Sequence, residues 1–191
     1  MAREALKRAL FLDRDGIINE DRHYVHRIED FHFVDGIFDL CRAAAAAELA
    51  IIVVTNQAGI GRGFFTEQQF QELTNWMARR FSEHRVTITG VYYCPHHPVH
   101  GIGHYKRDCS CRKPNAGMIL RARDEHGISL GSSILIGDKE SDITAARAAG
   151  IKTSVLISGS PTDSDSQATF RFLNLQELLH FSGISGLLGC R

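Results

Sequence analysis

The run Ala9-Leu10-Phe11-Leu12-Asp13-Arg14-Asp15-Gly16 is an apolar stretch that ends in two carboxylates. Its first four residues read as a buried strand. Two acids leave that strand together, two residues apart, and a side-chain period of two puts both on one face. Like charges that close repel and raise one pKa unless a cation compensates. Mg²⁺ suits the position, being hard, oxygen-seeking and commonly shared with a substrate phosphate. The first carboxylate can then attack phosphorus, and the second can give and take protons. A single D-x-D is equally well a solvated turn. Three later segments argue against that plainer reading.

The chain has 191 residues, a length that predicts one domain with its own core. A hydrophobic fraction of 43% and a charged fraction of 23% match a soluble globular protein. Lys+Arg and Asp+Glu both number 22, so the zero net charge argues against nucleic acid or an anionic membrane surface as partner. No apolar run approaches the roughly 20 residues of a membrane helix. Residues 1–8 are polar and carry no signal-peptide pattern, so a cytoplasmic location is expected. The five cysteines would then be mostly reduced and available to a metal.

Strand and helix signals alternate along the chain. Residues 8–12, 50–54, 86–93, 133–136, 154–157 and 168–173 read as strands. Asp35 is expected to cap a helix over 36–49, and Thr66 with Gln69 a helix to about Ser82. Phe70, Leu73 and Met77 form the core face of that second helix. Residues 59–65 read as a glycine-punctuated loop, and 94–112 as an irregular stretch rich in Cys, His and Gly. Asn115 is expected to cap a helix that Gly127 ends, and another helix ends at Gly150. Residues 159–167 read as a mobile loop and 174–181 as a last helix. The expected division is one domain over 1–182 and a patternless tail over 183–191. This alternation implies an α/β, doubly wound, mostly parallel sheet. Ligands of such sheets bind beyond the carboxyl ends of the strands, where Asp13, Thr55, Cys94 and Asp138 all fall.

The second segment is Val53-Val54-Thr55-Asn56-Gln57, where a hydroxyl precedes backbone N–H groups able to form a small anion nest. The third is Cys111-Arg112-Lys113-Pro114, with a point charge for a phosphoryl group and a forked donor for a second anion. The fourth is Ile136-Gly137-Asp138-Lys139-Glu140-Ser141-Asp142. Asp138 lands at a strand end as a metal ligand. Asp142, one helical turn on, braces the loop or the metal's water shell, or simply favours the helix dipole. Separately, Cys94-Pro95-His96-His97 and Cys109-Ser110-Cys111 can supply a Cys₃His set for a structural Zn²⁺. Three unrelated thiols or a redox disulfide is the alternative, and His97, His100 and His104 compete for the imidazole position. Cys41 reads as core and Cys190 as a free tail thiol.

Taken in order over residues 8 to about 150, the four segments resemble the haloacid dehalogenase (HAD) superfamily of phosphohydrolases. The resemblance implies a HAD-like Rossmannoid fold without a large cap domain, carrying a zinc-bound loop at 94–111. It makes Asp13 the nucleophile, Asp15 the general acid/base, and Thr55 and Lys113 the holders of the phosphoryl oxygens. Asp13, Asp138 and the backbone carbonyl of Asp15 would coordinate Mg²⁺. Ile17 departs from the Thr often found there. The thiol-rich stretch narrows the likeness, with Thr55-Asn56-Gln57-Ala58-Gly59-Ile60 and Tyr92-Tyr93-Cys94-Pro95-His96-His97-Pro98, to the D-glycero-D-manno-heptose 1,7-bisphosphate phosphatases. That family's pattern implies Zn²⁺ on Cys94, His96, Cys109 and Cys111. It also implies substrate contacts from Asp21, Arg22, His23, Tyr24, Thr55, Asn56, Gln57, Ala58, Lys113 and Lys139, and a second-phosphate contact from Arg112. The implied enzyme removes the 7-phosphate of a sugar bisphosphate, acts as a monomer and serves lipopolysaccharide-core or S-layer heptose supply. Histidinol-phosphate phosphatases share the zinc loop, but the twelve residues between His96 and Cys109 favour the heptose reading. A catalytically inactive zinc-stabilised binding module and a nucleic-acid end-trimming phosphatase are the competing classes. The intact acidic set and the zero net charge count against them. With no lid, water exclusion falls to residues 22–33, with His23, Tyr24, His26 and His32, and to the zinc loop.

Overall fold

The computed structural model describes residues 7–159 and 166–189. Its strands are β1 (Ala9–Leu12), β2 (Ala50–Asn56), β3 (Ile88–Cys94), β4 (Ile134–Gly137), β5 (Thr153–Ile157) and β6 (Phe170–Phe172). All pair in parallel in one sheet, ordered β3-β2-β1-β4-β5-β6. Its helices are α1 (Ile37–Ala46), α2 (Ala58–Gly61), α3 (Glu67–Glu83), α4 (Gly117–His126), α5 (Glu140–Ala149), α6 (Leu175–His180) and α7 (Ile184–Leu188).

Parallel strands covered on both faces are apolar throughout, and all four residues of β1 are fully buried. The strand period then divides the core in two. Leu10, Leu12, Ile51, Val53, Ile134 and Ile136 meet one set of helices, through Leu40 of α1, Met77 and Phe81 of α3, and Leu178 of α6. Phe11, Ile52, Val54 and Leu135 meet the other, through Met118 and Ile119 of α4 and Ala145 and Ala146 of α5. The doubly wound expectation holds, with every strand pair parallel.

Local signals hold where nothing competes. Thr66 and Gln69 exchange reciprocal cap bonds of 3.1 and 2.9 Å at the start of α3. Gly127 and Gly150 end α4 and α5 in the left-handed conformation. Two expected caps do not form. Gly36, at φ 90°, takes the N-cap of α1 in place of Asp35. Asn115 donates to the Cys109 carbonyl at 2.8 Å, so Ala116 precedes α4 without a side-chain cap. The 59–65 loop contains α2, and the tail forms α7, whose Leu188 is buried against the core. The Leu188 carbonyl also accepts from Arg8. Most of the expected mobile loop, residues 160–165, lies outside the described residues, as does Cys190.

β1 turns towards β2 on one side and has β4 on the other, so the strand order reverses beside β1. Such a switch point opens a crevice at the carboxyl edge. The residues leaving β1 and β4 there are Asp13 and Asp138.

Candidate active site

Asp13 follows β1 and continues its ladder by donating its N–H to Ile136 O at 3.0 Å. Its Oδ1 accepts from Arg14 N at 2.7 Å and faces Lys113 Nζ at 2.9 Å. Lys113 arrives from the far end of the thiol-rich loop. Its ammonium also meets Asp142 Oδ1 at 2.6 Å and donates to Val54 O at 2.8 Å. All three charged side chains are buried. Burial pushes Asp13 up to about 7 against the pull of Lys113, and repulsion from Asp142, Asp138 and Asp15 adds to the rise. Burial alone would lower the Lys113 ammonium, but Asp13 and Asp142 outweigh it and hold it above its ordinary value.

Carboxylate oxygens of Asp13, Asp138 and Asp142 lie within 4.8 Å of one another. Asp138 Oδ1 is buried and accepts no hydrogen bond. A buried carboxylate oxygen without a donor, among acids that outnumber the nearest cation, fits a hard divalent ion. The tight passage of Gly16 past Asp138 brings the Asp15–Gly16 peptide to the same cluster. A Cβ at Gly16 would lie 2.4 Å from Asp138 Oδ2.

The Asp15 carboxylate does not join this cluster, although the strand period placed it beside Asp13. The chain has already left the strand, turning through Gly16 at φ 91°. Arg14, 1% exposed, curls back to grip Asp15 at 2.8 and 2.9 Å. Asn19 Nδ2 donates to Asp15 at 3.0 Å, and Gln57 Nε2 at 2.9 Å. Gln57 Nε2 also donates to Thr55 Oγ1 at 2.8 Å, tying the Asp15 carboxylate to the hydroxyl at the end of β2. The Gln57 N–H is committed to Cys94 O at 2.8 Å, so the expected anion nest lacks that donor. Asn56 exchanges two 3.1 Å bonds with the Lys113 backbone and so fixes that lysine to the end of β2.

Above these groups opens a cavity of about 510 Å³. Asp15 and Lys113 line it together with Asp21, His23, Tyr24, Asn56, Gln57, Ala58, Arg112 and Lys139 of the expected contacts. Arg22 is not on its wall and pairs with Glu20 at the surface. His26 stacks on Phe65 instead of facing the cavity, and His32 does not line it. Gly59, Arg62, His97 and Ser141 complete the wall. Sequence reasoning passed over Arg62, whose one signal was its place in the glycine run Gly59-Ile60-Gly61-Arg62-Gly63.

The thiol-rich loop brings Cys94, His96, Cys109 and Cys111 together. The sulfurs stand 3.2–3.4 Å apart, and His96 Nδ1 lies 3.6 Å from Cys94 and 3.4 Å from Cys111. Three soft donors and one imidazole, whose Nδ1 faces the sulfurs while Arg107 Nη2 stands 2.7 Å from its Nε2, fit tetrahedral Zn²⁺. His97 Nδ1 accepts from the N–H groups of Val99 and His100 instead, and neither His100 nor His104 joins the cluster. Asn115 and Arg112 tie the loop to its flanks, through Cys109 O at 2.8 Å and His96 O at 3.2 Å.

A family model described as HAD-hydrolase-like matches residues 110–175. The chain is 56% identical to the D-glycero-alpha-D-manno-heptose-1,7-bisphosphate 7-phosphatase of Burkholderia mallei over 78% of this chain and 79% of that one. It is 47% identical to the D-glycero-beta-D-manno-heptose-1,7-bisphosphate 7-phosphatase of Vibrio cholerae over 85% and 88%. It shares its fold with the D,D-heptose 1,7-bisphosphate phosphatase of B. bronchiseptica, solved with magnesium and phosphate. That likeness has a TM-score of 0.76 at 23% identity and covers 90% of this chain and 95% of that one. Sequence likeness of this depth across both chains agrees with the order of acids, hydroxyl and lysine at the sheet edge: the chain belongs to the heptose-1,7-bisphosphate 7-phosphatase family of HAD phosphatases.

Proposed function

We propose that this chain hydrolyses the 7-phosphate of D-glycero-D-manno-heptose 1,7-bisphosphate and releases the 1-phosphate. The carrying observation is Asp13, buried against Lys113 at 2.9 Å beneath a cavity whose wall also bears Arg112. Asp13, Asp138 and the Asp15 carbonyl would hold Mg²⁺, which offsets the charge of the carboxylates and the phosphoryl group as they approach. An Asp13 oxygen forms a bond to phosphorus as the bond to the sugar oxygen breaks. Asp15 gives its proton to that leaving alkoxide. It then takes a proton from water, whose oxygen bonds to phosphorus as the Asp13–phosphorus bond breaks. Thr55 and Lys113 hold the phosphoryl oxygens, and Asp142 and Asn56 position Lys113. Electrostatic and positional terms of this kind dominate phosphoryl transfer.

The Cys94, His96, Cys109 and Cys111 set holds a structural Zn²⁺ that folds the loop presenting Arg112 and Lys113. Metal analysis of freshly purified protein is expected to find one zinc per chain, lost in Cys111→Ser together with most phosphatase activity. A zinc-free, fully active wild type contradicts this. A cytoplasmic location goes with this reading, because a reducing compartment leaves such thiols available to a metal. No helix among the described residues is long and apolar enough to cross a membrane.

The test is phosphate release with Mg²⁺ from both anomers of the heptose bisphosphate, histidinol phosphate and a 3′-phosphate oligonucleotide. One heptose anomer is expected to lead in kcat/KM by at least about 10²-fold, a lower bound, since sites built to hydrogen-bond their substrate reach about 10⁴–10⁵. A lead for histidinol phosphate or the oligonucleotide overturns the substrate and leaves the chemistry.

A further inference from the structure

Four Lys and Arg side chains line the cavity: Arg62, Arg112, Lys113 and Lys139. Two of them are neutralised within the protein. Lys113 pairs with Asp13 and Asp142, and Lys139 with Asp21 at 3.0 Å and Asp138 at 3.4 Å. Neither Arg62 nor Arg112 pairs with a carboxylate among the described residues. Both lie near enough to His97, itself on the cavity wall, to help depress its basicity, to which burial contributes most.

Arg62 is held in place without being discharged. Its Nη1 donates to Tyr24 Oη, and its guanidinium lies 5.4 Å from the Tyr24 ring and 4.9 Å from the Phe64 ring. Those rings meet edge to face at 4.7 Å. Tyr24 reaches this position through a strained backbone, with φ values of 58° at His23 and 54° at Tyr24. Gly59 permits it, since a Cβ there would stand 2.9 Å from Tyr24 Cδ1. Strain kept at two successive non-glycine residues, and a glycine under the ring, brace one guanidinium at the cavity wall. An aromatic–guanidinium brace lowers the ordering cost of binding an anion and leaves the positive charge free for it.

We propose that Arg62 is a specificity-determining residue of this enzyme, forming with Arg112 a two-guanidinium clamp for the phosphate that is not hydrolysed. This rests on the bisphosphate reading above and adds the residue by which bisphosphate is told from monophosphate. Lys113 and Lys139 serve the reacting end, where acids already balance them. The uncompensated charge of Arg62 and Arg112 matches a dianion brought in by the substrate.

The test compares kcat/KM for heptose 1,7-bisphosphate and heptose 7-phosphate in wild type, Arg62→Ala, Arg62→Lys and Tyr24→Phe. Wild type prefers the bisphosphate. In Arg62→Ala that preference falls by about 10- to 100-fold, the worth of charge-assisted hydrogen bonds, and the loss appears in KM rather than kcat. Arg62→Lys keeps part of the preference, and Tyr24→Phe loses less than Arg62→Ala does. A wild type with no preference overturns the bisphosphate reading itself. A wild-type preference that survives in Arg62→Ala, even if both substrates slow, overturns the Arg62 assignment alone.

Discussion

Asp13→Asn is expected to lower phosphate release by about 10⁴-fold or more, since loss of a covalent nucleophile removes the reaction path itself. The substitution keeps the side chain's shape and an oxygen able to accept from Arg14 N and Lys113. It removes a charge that burial and three neighbouring acids already disfavour, as the rise of Asp13 to about 7 records. The folded protein should therefore stay within about 1 kcal/mol of wild type in chemical denaturation, because Lys113 keeps Asp142 as its partner. Stopped-assay phosphate release and urea unfolding on the same preparation check both halves. Retained activity removes Asp13 from its role, and unfolding of the variant would mean that its charge is structural.

Lys113→Met should have the opposite balance, with large losses in both stability and rate. Methionine fills the same volume but strips the ammonium from two buried acids at 2.9 and 2.6 Å. Breaking a buried pair in this way costs about 3–5 kcal/mol, and losing a charge that faces the phosphoryl group costs roughly 10²–10³ in kcat. The stability loss should depend on pH. Asp13 titrates at 3.8 when unfolded and at about 7 when folded with Lys113 present, and removing the ammonium raises the folded value further. A carboxyl raised on folding contributes stability that is complete below its unfolded pKa and is lost as pH rises through its folded one. The penalty in Lys113→Met should therefore grow from pH 5 to pH 8 when unfolding is measured in chelator. A penalty that is flat or shrinking with pH contradicts the pairing.

The groups visible in the sequence were those that local rules position. An apolar strand that ends in an acid puts that acid at the sheet edge, so Asp13 and Asp138 could be placed from strand order alone. The Cys-x-His and Cys-x-Cys spacings marked a metal-type loop and left the imidazole open among four histidines; the family pattern named His96, and it is His96 that converges with the three thiols. What local rules missed depends on distant partners. Asp142 is 29 residues from Lys113, and only the meeting of α5 with the loop before α4 makes it that lysine's second counterion. Arg14 lies between two acids, where alternation points it away from both, yet the turn at Gly16 buries it against Asp15. Asn115 could have capped α4, but the loop carbonyl of Cys109 took its amide. Arg62 had no signal beyond its place in a glycine run and the tail helix α7 had none, because a braced guanidinium and a docked Leu188 are tertiary facts.

The most direct measurement is chemical trapping of the covalent enzyme. The protein is quenched during turnover of heptose 1,7-bisphosphate with Mg²⁺, reduced with borohydride and mapped by peptide mass spectrometry. Reduction of an acyl phosphate converts aspartate to homoserine, and homoserine is expected at position 13 in wild type only when substrate is present. Turnover that leaves position 13 unmodified, or homoserine at position 15 or 138 instead, contradicts the assignment of Asp13 as the nucleophile of a heptose bisphosphate phosphatase.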